Sequence, residues 1–139
     1  SEAMRKQPDS RVRAWLERTP DELMYVSVLS LGELRKGIEG VVDAARRERL
    51  RQWLEADLPA WLGNRVADNW RPLFGDRVLL VDEGVADRWG RMCAALGRPV
   101  PAIDSLLAAT ALRHDLRLVT RNTRDFEGFG LVLVNPWVA

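Results

Sequence analysis

Four short apolar runs are spread along this chain: LMYVSV (23 to 28), RVLLV (77 to 81), RLVT (117 to 120) and LVLV (131 to 134). Segments of helical periodicity alternate with them. No other feature constrains the fold as strongly, because strands joined through helices rather than through tight turns pair in parallel and must be covered by those helices. The helical patterns are PDSRVRAWLER, LSLGELRKGI, an arginine-rich amphipathic stretch from Asp43 to Leu62, GVADRWGRMCAALG closed by Gly97, and Ile103 to His114. In the first, Pro8 stands near the start and Val12, Trp15 and Leu16 share a face. In the second, Leu31, Leu34 and Ile38 recur at helical spacing, with Ser30 as N-cap and Gly37 or Gly40 near the end, which puts Glu33 in the first turn. At 139 residues, without a repeat, a low-complexity tract or a Gly/Ser linker, the chain reads as one α/β domain spanning 1–139.

Composition removes several classes of function. With 21 basic and 20 acidic residues there is no overall charge suited to coating a duplex, so a nucleic-acid surface has to be a local patch. The one cysteine, Cys93, excludes an internal disulfide framework, and within VADRWGRMCAAL it reads as packing; a reducing, cytoplasmic setting fits. No apolar run approaches the roughly 18–20 residues of a membrane span. A Gly-rich P-loop, a metal-binding Cys/His set and a G-x-S-x-G elbow are all missing, which sets aside NTPase, zinc and serine-hydrolase chemistry.

Three acids fall where such a fold gathers its ligands, at the edge shared by strand carboxyl ends and helix N-termini. Glu33 follows the first strand, Asp104 caps or begins the alanine-rich helix of PAIDSLLAATALRHDLRLVTRN, and Asp125 follows the third strand in TRNTRDF. Capping explains any one of them, since a carboxylate there meets orphan N–H groups and the positive end of the helix dipole. Three on one edge repel each other unless a cation holds them, and oxygen-only ligands favour Mg²⁺ or Mn²⁺.

These residues resemble the PIN-domain ribonucleases, in particular the VapC and FitB toxins of type II toxin–antitoxin systems. The likeness runs through nearly the whole chain. SEAMRKQPDSRVRAWL is similar to the family's first helix, VSVLSLGELRKGI to its strand followed by an S-x-x-E-L-x-x-G-type helix, and FGLVLVNPW to its end in the FitB-like branch. The most specific match is PAIDSLLAATALRHDLRLVTRNTRDF, which resembles D-x-x-I-A-A-T-A followed by L-V-T-x-N-x-x-D-F. The resemblance implies a three-layer α/β/α sandwich on a mostly parallel central sheet, with Glu33, Asp104 and Asp125 as metal-site acids. Thr120 and Asn122 would orient water, metal or phosphate; taken alone they read as a β-branched strand residue and a turn former. The implied activity is Mg²⁺- or Mn²⁺-dependent endoribonuclease cleavage, by in-line displacement leaving a 5′-phosphate and a 3′-hydroxyl. The implied partners are an RNA substrate, a cognate antitoxin, operator DNA through that antitoxin only, and a second copy in a homodimer.

One departure from the family pattern matters. Family members open with a short apolar strand ending in an L-D-T-N-like motif whose Asp is the first metal ligand, and SEAM corresponds to residues just past it. The expectation is therefore that the central first strand is missing from this sequence. Two sheet edges would then hold unpaired backbone groups, each costing about 1–3 kcal/mol when buried, unless a separate peptide or another copy supplies the strand. The same departure supports a second reading, a catalytically inactive PIN-like module that binds RNA or protein. More distantly, the order of segments permits a receiver- or flavodoxin-like domain.

RNA needs positive contacts, and the candidates are Arg121 and Arg124 beside Asp125, and Arg35 and Lys36 beside Glu33. Arg35 and Lys36 read equally well as the solvated face of a helix, and AARRERLRQW as an exposed helix laced with ion pairs. His114, the only histidine, reads as a helix-end or surface residue. Of the six tryptophans, Trp15 and Trp89 sit on apolar faces, while Trp53, Trp61 and Trp70 gather near LGNRVADNWRPLFGD (62 to 76), an unusually long connection suited to an extra short helix or a partner-facing loop.

Overall fold

A computed structural model describes residues 9–57 and 77–138, so the long connection, Trp61, Trp70 and Pro8 lie outside the described residues. The elements are α1 (Ser10–Arg18), β1 (Val26–Ser27), α2 (Val28–Glu39), α3 (Ala44–Gln52), β2 (Val78–Leu79), α4 (Glu83–Leu96), α5 (Ala102–Arg113), β3 (Leu118–Val119) and β4 (Leu133–Val134). Short 3-10 turns cover Asp21–Leu23 and Thr123–Phe126, and a π turn, Trp53–Asp57, extends α3. Strands pair in parallel, β1 with β2 across the α2 and α3 helices, and β3 with β4 across the segment that holds the Thr123–Phe126 turn. The described residues divide into two compact units, one holding 17–57 and 77–79, the other 9–16 and 80–138.

In the first unit, β1 runs straight into α2. Ser27 ends the strand in extended backbone and its Oγ accepts the Leu29 N–H at 3.1 Å, so Ser27 and not Ser30 is the N-cap. The apolar run LMYVSV is split by this cap: only two of its residues pair as strand, and Val28 already belongs to the helix. Glu33 consequently sits in the second turn, not the first. Gly40 closes the helix, Asp43 caps α3 through the Ala45 N–H, and the hairpin buries Ile38, Leu50 and Leu54 together, with Leu34, Val41 and Trp53 packed around them.

In the second unit, Asp9 caps α1 by accepting the Arg11 N–H at 2.8 Å, and Arg11's guanidinium holds its carboxyl down at about 2. The α4 helix ends at Gly97, whose φ of 63° no side chain favours. Helix α4 packs along α5, whose Ala108 and Ala109 are fully buried and small enough to admit close neighbours. The core of this unit joins Ala108 to Phe126 and Phe129, with Met92, Leu96, Val100, Leu118 and Leu133 against it. The chain turns from α5 to β3 by a Schellman arrangement: Leu116 N–H donates to Ala111 O at 2.8 Å and Asp115 N–H to Leu112 O at 3.3 Å. Asp115 takes the left-handed position that glycine usually fills. Among the described residues no helix is long and apolar enough to cross a membrane.

Candidate metal and phosphate site

The second unit carries four of the five expected site residues on two packed pieces. The first is the opening turn of α5. Its N-cap is Pro101, which offers no side-chain bond, and Asp104 is the third residue of the helix. Asp104 therefore begins the helix near the positive end of its dipole without capping it. Ser105, next to it, is fully buried; its hydroxyl reaches back to Pro101 O at 2.7 Å and Ala102 O at 3.0 Å and accepts the Trp89 Nε1–H of α4 at 2.9 Å.

The second piece is the segment after β3. Thr120 N–H donates to Val134 O at 3.0 Å, continuing the ladder, while its Oγ1 accepts the Asn122 N–H at 3.1 Å and bends the chain out of the sheet. Asn122 O then accepts the Asp125 N–H at 3.1 Å, starting the 3-10 turn. Phe126 plugs into the core beside Ala108, and Ala108 lies four residues after Asp104, on the same side of α5. This plug seats the turn carrying Asp125 against the helix carrying Asp104. Asp125, Arg121 and Arg124 are exposed, and the two arginines make no ion pair among the described residues.

Glu33 belongs to the first unit and is exposed on α2. Of the bases beside it, Arg35 is committed to Glu55 at 2.8 Å and Glu39 at 3.5 Å. Lys36 is exposed. Arg51 binds Glu39 through two nitrogens and holds that carboxyl down at about 2, which makes AARRERLRQW the ion-paired helix its composition suggests.

The donors in the second unit are carboxylate and hydroxyl oxygens, without thiolate or imidazole. That set fits a hard divalent ion, since Mg²⁺ keeps several waters and is commonly held by one or two carboxylates. Among the described residues no group of three or more His, Cys, Asp and Glu is placed to hold a metal. Sequence reasoning passed over Ser105 and placed Trp89 only on an apolar face; the signal available was a serine four residues after the proline that begins the helix.

Residues 1–130 match the family model of the PIN domain. The chain belongs to the PIN-domain family. Toxin FitB of Neisseria gonorrhoeae is 32% identical over 140 residues, covering 99% of this PIN domain and 92% of that protein. VapC ribonuclease Y4jK of Sinorhizobium fredii is 31% identical over 141 residues, covering 99% and 91%. Among solved structures, FitAcB from Neisseria gonorrhoeae superposes with a TM-score of 0.80 at 32% identity, covering 100% of this chain and 94% of that one. FitAB bound to an IR36 DNA fragment gives 0.79 at 30% identity, with 100% and 91% covered. The α/β architecture with parallel strands is thus the PIN fold.

Proposed function

We propose that this PIN domain is the toxin of a toxin–antitoxin pair, a Mg²⁺- or Mn²⁺-dependent endoribonuclease of the reducing cytoplasm that a cognate antitoxin neutralises. The observation that carries the reading is the seating of the Asp125 turn against α5 through Phe126 and Ala108, which sets two carboxylates and two exposed arginines on neighbouring pieces of one unit. A ribonuclease and a toxin among the relatives support it. Asp104 and Asp125 hold the metal, and the reading assigns Glu33 as a further acid. Once bound, the metal polarises a scissile phosphate and lowers the pKa of a water. Arg121 and Arg124 neutralise flanking phosphates, with Lys36 and Arg35 as weaker candidates, and Thr120 and Asn122 fix the backbone that presents Asp125.

Cleavage of a structured RNA by the purified chain tests this directly. Mn²⁺-dependent cleavage leaving 5′-phosphate ends is expected, abolished by EDTA and reduced by about 100-fold or more in Asp104→Asn, as loss of a metal ligand requires. Cleavage that survives both would sink the reading. A second reading, an RNA- or protein-binding module without cleavage, draws on the lack of a three-acid group among the described residues; RNA retained intact by the folded chain would select it. For partners, the reading takes an antitoxin as the route to operator DNA, in line with a FitAB structure that holds DNA and with the near-zero charge of this chain. It also takes a homodimer as the assembly.

A further inference from the structure

We propose that Trp89 is a positioning residue for Asp104, acting through the buried hydroxyl of Ser105; this rests on the nuclease reading above. The three groups form a relay from one helix to the next. The indole Nε1–H of α4 donates to Ser105 Oγ at 2.9 Å, and the hydroxyl donates onward to Pro101 O at 2.7 Å, with Ala102 O at 3.0 Å sharing the proton. Pro101 O also receives the Ser105 N–H at 3.0 Å, so both donors of one residue converge on the carbonyl where the helix starts.

Position gives this relay a use beyond satisfying polar atoms. The first turn of α5 has no side-chain cap, and its N-cap is a proline. A helix so begun frays unless something else restrains it. The body of α5 needs no such restraint, because Ala108, Ala109 and Thr110 are buried along it. The relay therefore acts on the turn that lacks a side-chain cap, and Asp104 is the adjacent residue in that turn. Alanine at 105 would be the better helix former and would bury no hydroxyl, so stability of α5 alone does not call for serine. Groups that orient a metal-binding carboxylate from outside typically change metal affinity or activity by about 10–100-fold when removed.

The test compares the full-length wild-type chain with Trp89→Phe, which keeps most of the ring volume, Ser105→Ala, and the double variant. Three readouts are taken: Mn²⁺ affinity by calorimetry, kcat and KM on RNA, and exchange of the Ser105 amide without metal, with thermal midpoints as a check on folding. Each single variant is expected to weaken Mn²⁺ binding by about tenfold, to lower kcat with KM for RNA unchanged, and to speed Ser105 amide exchange. The double variant should be no worse than Ser105→Ala alone, since that change already removes the Trp89 bond. Folded variants that bind Mn²⁺ and cleave as wild type does, or losses that add in the double variant, overturn the proposal. A variant that does not fold makes the bond a fold determinant and overturns it as well. A wild-type chain that neither binds Mn²⁺ nor cleaves overturns the nuclease reading and this inference together, whereas a failure confined to the variants overturns the inference alone.

Discussion

Asp115 holds a backbone conformation that suits it poorly. Its φ of 54° lies in the left-handed region, at the position of the Schellman turn where glycine avoids a steric cost. Asp115→Gly should therefore stabilise the chain by about 0.5–1 kcal/mol, read as a rise in thermal midpoint. Gly97 gives the opposite case: at a φ of 63°, Gly97→Ala should cost about 1 kcal/mol in the same measurement. The two positions differed in how well sequence revealed them. Gly97 announces the end of α4 because glycine after an apolar period is a stop signal, whereas nothing in RHDLRL marks Asp115 as left-handed; its turn is set by the carbonyls of Ala111 and Leu112. Asp104 was legible as a charge at a helix start, but its capping role was not borne out, because Pro101 already occupies the cap three residues earlier.

Among the elements, the α2–α3 hairpin stands on a small apolar seam and an exposed lattice of ion pairs. Leu54, 1% exposed, closes the seam, and Leu54→Ala should cost about 2–4 kcal/mol in denaturant unfolding. The lattice contributes through pH. Arg51 depresses the Glu39 carboxyl from 4.5 to about 2, so its contribution is complete above the unfolded value near 4.5 and is lost as pH falls toward about 2. Glu39→Gln should flatten the acid limb of the stability curve over that window, and high salt should shrink the difference because both partners are exposed. Helices were the readable part of this chain, since their periodicity runs over many residues. Strands were found in place but too long: Ser27 turns β1 into a helix after two paired residues, and a capping serine inside an apolar run looks the same as a strand residue until its bond to Leu29 is known.

For the whole molecule, the family and its α/β fold could be read from PAIDSLLAATALRHDLRLVTRNTRDF, because that string encodes a helix, a turn, a strand and a second turn in fixed order. What the string could not show is how Asp125 is held, which depends on Phe126 reaching Ala108 through the core. With a net charge of +1, the chain alone should leave duplex DNA unshifted in electrophoresis at physiological salt, and on the toxin reading proposed above a cognate antitoxin should produce the shift when added. Phe126→Ala should cost about 3–5 kcal/mol and release the Asp125 turn, and on the nuclease reading proposed above it should lower cleavage more than a surface change of equal size elsewhere. The Phe126 plug also separates two kinds of variation. Phe126, which seats the turn, is inside, while Arg121 and Arg124, the proposed RNA contacts beside it, are outside. On the ribonuclease reading, descendants of this chain can exchange those outer residues without loosening the seat, so preference among RNA targets can drift while the fold stays as it is.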